Sequence, residues 1–126
     1  MCLKIDLRKA FDSISWEFLR FALVDTGLPA SFINWVKECV TTASFSVLVN
    51  GVPFGHFKGL WGIRQGDPLS PFLFFICINY ISKILHQHFS QEILHPGCKK
   101  MRLSHVFFAD DHLIFCLLYT SDAADE

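Results

Sequence analysis

Phe107-Phe108-Ala109-Asp110-Asp111 closes one apolar run, and Lys4-Ile5-Asp6-Leu7-Arg8-Lys9-Ala10-Phe11-Asp12 carries Asp6 at the end of another. Both runs are strand-like, and they lie about a hundred residues apart. Carboxylates that end strands far apart in sequence converge when those strands pair. Their mutual repulsion then calls for cations, and hard oxygen ligands of this kind suit Mg²⁺ or Mn²⁺. Taken alone, Asp110-Asp111 also reads as an ordinary hairpin turn, a place Asp favours. Between the two acidic sites lies Gly62-Ile63-Arg64-Gln65-Gly66-Asp67-Pro68-Leu69-Ser70-Pro71, a glycine-punctuated loop.

Working outward, residues 2–7 read as a strand. Ser13 or Ser15 caps a helix through about Asp25, which Gly27 ends. Pro29 opens a second helix, with Phe32, Val36, Cys39 and Val40 at helical spacing. Residues 44–49 alternate as a strand, Asn50-Gly51 is a hairpin turn, and 52–57 return. Ser70 as N-cap and Pro71 as first helical residue launch a long helix to about Phe89. Its apolar stretch from Pro71 to Ile81 reads as buried and is too short to span a bilayer. His95-Pro96-Gly97 is a turn, and strands at 103–108 and 112–115 flank Asp110-Asp111. This order predicts an α+β fold, an antiparallel sheet with helices packed on one face.

The 126 residues suffice for one compact domain, and 52% hydrophobic content with 14 Phe excludes a disordered body. So apolar a small domain also leaves surface that a neighbour would cover. Net charge is −1; without Asp122, Asp125 and Glu126 the balance is 11 basic to 9 acidic residues. That is a weak electrostatic footprint for a complete nucleic-acid-binding protein, though compatible with its catalytic slab. The five cysteines (2, 39, 77, 98, 116) show no paired spacing, which fits a reduced intracellular compartment. Cys39 and Cys77 read as small buried hydrophobes. Charged residues follow Met1 at once, so no signal peptide is read. His86, His88, His95 and Cys98 lack the spacing of a zinc site. Lys99, Lys100 and Arg102 form a small basic cluster, read as a solvated turn, with phosphate contact as the alternative.

The ordered triple of Asp6, the Gln65-Gly66 loop and Asp110-Asp111 resembles motifs A, B and C of reverse transcriptases. The closest likeness is to non-LTR (LINE-like) retrotransposons, with a plant character, and it covers roughly residues 2 to 115. The resemblance implies a polymerase palm, here incomplete, and RNA-directed DNA polymerase activity by two-metal nucleotidyl transfer with two Mg²⁺ (or Mn²⁺) ions. It makes Asp6, Asp110 and Asp111 catalytic and Asp6 and Asp110 the metal ligands, with Asp111 a companion acid. It sets Phe11 under the incoming sugar, as a ring that collides with a ribose 2′-hydroxyl; the competing role is a core Phe. It turns the Gln65-Gly66 loop toward nucleotide and template, with Arg64 either meeting phosphate or serving as a solvated loop charge. Asp12 is read as serving a helix N-terminus rather than a metal.

The partners so implied are RNA template, DNA primer and dNTPs, with no membrane. The resemblance further implies fingers and thumb segments of a parent chain that functions in the nucleus. The segment itself is expected to be inactive alone. Two other readings are a non-enzymatic retroelement remnant and a maturase-like nucleic-acid-binding module. Residues 116–126 break the hydrophobic pattern and resemble the in-frame translation of a transposon mosaic-end sequencing adapter. They are expected to form an artefactual, disordered tail to a domain at 1–115.

Overall fold

A computed structural model of the chain describes residues 2–88, 93–95 and 98–115. The proposed tail and the Pro96-Gly97 step of the expected turn lie outside those residues. Among the described residues ten elements follow one another: β1 (Cys2–Asp6), α1 (Trp16–Asp25), α2 (Ala30–Thr41), β2 (Ser44–Val49), β3 (Val52–Lys58), α3 (Ser70–His88), β4 (Ile93–His95), β5 (Cys98–Leu103), β6 (His105–Phe108) and β7 (Asp111–Phe115). The content is α+β, and every strand pairing is antiparallel. The strands form three separate sheets rather than one: β1-β7-β6, β2-β3 and β4-β5. Two compact units divide the chain, Lys9–Tyr80 and a second built from Met1–Arg8 with Ile81–Glu126.

In the Lys9–Tyr80 unit, α1 starts where Ser15 adopts an extended backbone and its hydroxyl accepts from the Phe18 N–H, at a long 3.5 Å. Ser13, the other candidate cap, donates instead to the Ala10 carbonyl. Gly27 ends the helix at φ +74°, a left-handed conformation that glycine adopts without a Cβ penalty. The core joins Leu19, Ala22 and Leu23 of α1 to Ile33 and Val36 of α2 and to Leu73 and Cys77 of α3. The inward stripe of α2 is therefore Ile33, Val36 and Val40, spaced i, i+3, i+7. Of the expected residues Val36 and Val40 thus face the core, whereas Phe32 and Cys39 are exposed. Cys39 is thus not a buried hydrophobe, whereas Cys77 is.

Two expectations for α3 change. The Leu69 carbonyl already accepts from the Leu73 N–H, so Ser70 lies inside the helix rather than capping it. Asp67 supplies the side-chain contact at this end, its Oδ1 accepting from the Leu69 N–H at 2.9 Å. The apolar stretch is also not buried all round, since Phe72 and Phe75 are 68% and 63% exposed. A helix touched by the core along one stripe leaves its remaining apolar residues outside, whatever their hydropathy.

The β2–β3 hairpin forms as read, turning at Asn50-Gly51 with both residues at positive φ. Its register slips between Phe45 and Val47, and much of its apolar surface is open, with Phe54 75% exposed. In the other unit the strand expected at 103–108 breaks at Ser104. Residues 98–103 pair back onto 93–95 as a hairpin the hydrophobic pattern did not reveal. Among the described residues no helix is long and apolar enough to cross a membrane.

Candidate active site

β7 is the central strand of its sheet, and this is what brings the acids together. It pairs with β6 through a two-residue turn, Ala109-Asp110, and with β1 along its whole length. The β1–β7 register sets Asp6 directly opposite Asp111. The ladder continues past the strand end, where the Leu7 N–H donates to the Asp110 carbonyl at 3.0 Å. Asp6, Asp110 and Asp111 thus share one end of one sheet, and Asp6 and Asp110 are exposed. Like charges directly opposite across a ladder destabilise it. Lys4, two residues along β1, relieves part of this, its Nζ lying 3.2 Å from Asp111 Oδ1. With both groups about half exposed this ion pair contributes on the order of 1 kcal/mol or less.

The donor set consists of hard carboxylate oxygens, the chemistry Mg²⁺ prefers. Among the described residues no group of three or more His, Cys, Asp or Glu side chains is arranged to hold a metal ion. Mg²⁺ asks for less: one or two carboxylates, with water and substrate phosphates completing the shell. Asp6 and Asp110 fit that requirement by residue type and by backbone placement.

The turn itself departs from regular geometry. Ala109 has φ +50°, in the left-handed region where a Cβ is disfavoured. Alternation along β7 then puts Asp111 and Leu113 on one face and His112 on the other, beside Ile5 and Phe107. His112 is only 5% exposed, and its Nε2 has no hydrogen-bond partner. Burial holds the imidazole below its ordinary pKa, opposed by a bond to the Ala109 backbone and by Asp110 and Asp111. Sequence reasoning passed over His112, although its odd position in the strand register marked it as facing away from Asp111. Next along the sheet, His105 bonds Ser104 through Nδ1 (2.8 Å) and Ser82 of α3 through Nε2 (2.5 Å).

The remaining expected site residues belong to the Lys9–Tyr80 unit. There the loop before α3 is fastened to the segment before α1. The Gly62 N–H donates to the Ile14 carbonyl (2.7 Å), the Ile63 N–H to the Phe11 carbonyl (2.8 Å), and Trp16 Nε1 to the Gly62 carbonyl (2.8 Å). Gly62 is held to glycine twice over: φ is +85°, and a Cβ would meet the Asp12 carbonyl oxygen at 2.8 Å. Trp16 was not anticipated as part of this clamp, and nothing in its spacing signals it. Beyond the clamp, Arg64, Gln65 and Gly66 are exposed, and Gly66 at φ +84° has open space where a side chain would be. The Arg64 guanidinium lies over the Phe45 ring at 5.7 Å. A cavity of about 400 Å³ opens beside this loop, lined by Trp16, Phe45, Trp61, Arg64 and Gln65 among others. Asp12 also lines it rather than capping α1. Phe11 is half-buried and stacked on Phe74, with ring centroids 4.8 Å apart.

These features coincide with a match over residues 1–122 to the family described as reverse transcriptase (RNA-dependent DNA polymerase). The chain is 31% identical over 110 residues to the retrovirus-related Pol polyprotein from the type-1 retrotransposable element R2 of Popillia japonica, covering 87% of this chain and 18% of that protein. It is 28% identical over 111 residues to the corresponding polyprotein from the type-2 element R2DM of Drosophila melanogaster, covering 88% of this chain and 10% of that protein. An uncharacterised mitochondrial protein of Arabidopsis thaliana is 40% identical over 68 residues, covering 51% of this chain and 55% of its own length. The chain thus spans less than a fifth of the R2 polyproteins it matches. With a family match that runs almost end to end, the chain belongs to the reverse transcriptase (RNA-dependent DNA polymerase) family, and it is similar to polyproteins of R2 retrotransposable elements.

Proposed function

We propose that this chain is the palm core of an RNA-directed DNA polymerase, acting within a longer polypeptide. The observation that carries the reading is the β1–β7 register, with Asp6 opposite Asp111 and Leu7 bonded to Asp110. Asp6 and Asp110 hold two Mg²⁺ (or Mn²⁺) ions, and Asp111 supports them from within the ladder. When bound, such ions would supply the positive charge that an in-line phosphoryl displacement needs. The chain's own part is to fix these carboxylates on rigid paired strands before substrate arrives.

Phe11 serves as the sugar gate, its ring held flat by Phe74. Arg64, Gln65 and Gly66 meet nucleotide and template, Gln65 through its amide and Gly66 through close backbone approach. RNA template, DNA primer and dNTPs are the partners, with fingers and thumb contributed by other segments. Residues 1–115 form the functional segment, an incomplete polymerase palm, and the nucleus is its site of action. The similarity to an Arabidopsis protein supports a plant origin.

Primer extension on an RNA template tests the reading. In the full-length protein, Asp6→Asn and Asp110→Asn each remove most activity, because an amide cannot supply the ligand's charge. Either variant extending at close to the wild-type rate refutes it.

A further inference from the structure

We propose that the cavity beside the loop before α3 is a pocket for one unpaired nucleobase of a single-stranded RNA, stacked on its open aromatic rings. The inference rests on the reading of the chain as acting on RNA, and it adds a site that the acids do not form. At about 400 Å³ the cavity falls in the size range of small-ligand pockets. Trp16, Phe45 and Trp61 give it an aromatic lining. Trp61 is 72% exposed, a large flat ring left mostly in water. Trp16 and Phe45 are fixed before any ligand arrives. The Trp16 indole N–H is given to the Gly62 carbonyl at 2.8 Å, and Phe45 packs on Phe57 with centroids 5.8 Å apart. Gly59 leaves room at both rings: a Cβ there would lie 3.2 Å from Phe45 Cε2 and 3.9 Å from Trp16 Cζ2.

The charged lining decides what kind of flat ligand fits. Asp12 and Asp67 outnumber Arg64 there, so a phosphate is repelled more than it is held. A cation, the other ligand that aromatic and acidic groups attract, meets the Arg64 guanidinium already 5.7 Å over the Phe45 ring. A nucleobase is flat and neutral, and carries both donors and acceptors on its edges. Among the described residues neither the Asp12 carboxylate nor the Arg64 guanidinium has a hydrogen-bond or ion-pair partner. The carboxylate only accepts and the guanidinium only donates, so the two together answer both halves of a base edge. A base within a duplex has its faces and its Watson–Crick edge covered, whereas an unpaired base presents them to aromatic rings and to Arg. Stacking of this kind is how proteins hold single strands.

The test uses the full-length protein and a single-stranded RNA oligonucleotide carrying 5-iodouridine, with the same RNA annealed to its complement as the paired control. Irradiation cross-links this base to an aromatic side chain on which it stacks, and mass spectrometry maps the attached peptide. Adducts are expected on Trp61, Phe45 or Trp16 with the single strand and on none of them with the duplex. Affinity for the single strand and KM for dNTP are measured in parallel. Trp61→Ala should weaken single-strand binding about tenfold, Trp61→Phe should restore most of it, and KM for dNTP should stay at the wild-type value. Trp61 is mostly exposed, so neither substitution removes core packing. Unchanged single-strand affinity in Trp61→Ala, or adducts confined to other aromatic residues, overturns the proposal. A raised KM for dNTP with unchanged single-strand affinity assigns the cavity to the base of a free nucleotide and overturns the strand as its occupant. Wild-type protein that neither binds the single strand nor extends a primed RNA template overturns the polymerase reading as well, whereas extension without adducts overturns the pocket alone.

Discussion

Asp6 and Asp111 sit directly opposite each other in the β1–β7 ladder, and Leu7 continues that ladder onto the carbonyl of Asp110. Two acidic sites at opposite ends of the chain are thereby joined by main-chain hydrogen bonds, whose geometry does not depend on any side-chain rotamer. Lys4 balances only one of the acids. A ladder that sets carboxylate against carboxylate at an exposed end is suited to receive a cation.

Gly62 is the hinge point of the loop clamp. Gly62→Ala would bring Cβ within 2.8 Å of the Asp12 carbonyl oxygen, at a φ that alanine resists. A destabilisation of about 2–4 kcal/mol is expected from combined strain and overpacking. Urea denaturation checks it, and a midpoint unchanged from wild type would mean that the loop does not lie on the segment before α1.

How much of this was legible in the sequence depends on where the information lies. The acids, the hairpin at Asn50-Gly51 and the α1 boundaries were readable because turn chemistry and capping act over a few residues. In α2, Val36 and Val40 face the core as read, but Phe32 and Cys39 do not and Ile33 does, because neighbouring positions satisfy the same period and only the facing helix selects between them. The β4–β5 hairpin was missed because Lys99, Lys100 and Arg102 interrupt the apolar alternation. The meeting of Asp6 with Asp110 and Asp111 at one sheet end could be anticipated from type and flanking pattern. The burial of His112 was passed over, because a single polar residue in a short strand reads equally well as exposed.

Phe11 separates two roles experimentally. In the full-length protein Phe11→Ala should relax discrimination between dNTP and rNTP, and loss of the stack on Phe74 should also lower stability by roughly 3–5 kcal/mol. Primer extension with each nucleotide type reads the first effect and thermal unfolding the second. Lost stability with intact discrimination would leave Phe11 as a core residue only.

Cys77 and Cys39 give a chemical check of the core. Burial pushes the Cys77 thiol up to about 12, while Cys39 is exposed. The thiolate is the reacting species, so at pH 8 Cys39 should alkylate readily and Cys77 only on unfolding. Peptide mapping after a timed iodoacetamide pulse distinguishes them; equal labelling in native buffer would place Cys77 at the surface.

His105 predicts a pH dependence. Burial, and then the neighbouring His86, lower its pKa in the folded state. The unfolded chain therefore binds its proton at a higher pH than the native one. The stability linked to His105 is full above about pH 6.5 and is lost as pH falls through the lowered folded value. His105→Gln should flatten the fall in stability below that pH, measured as urea midpoints between pH 7 and 5. A curve unchanged by the substitution would assign the dependence elsewhere.

Cleavage of the backbone by a bound redox metal tests the site itself. Fe²⁺ takes the same oxygen ligands as Mg²⁺, and with ascorbate and peroxide it generates radicals that cut the chain within a few ångströms. In the full-length protein, cuts are expected in two segments, around Asp6 and around Ala109–Asp111, both suppressed by excess Mg²⁺ and both lost in Asp110→Asn. Cuts confined to one segment, or persisting unchanged in Asp110→Asn, would contradict a metal site shared between the ends of β1 and β7.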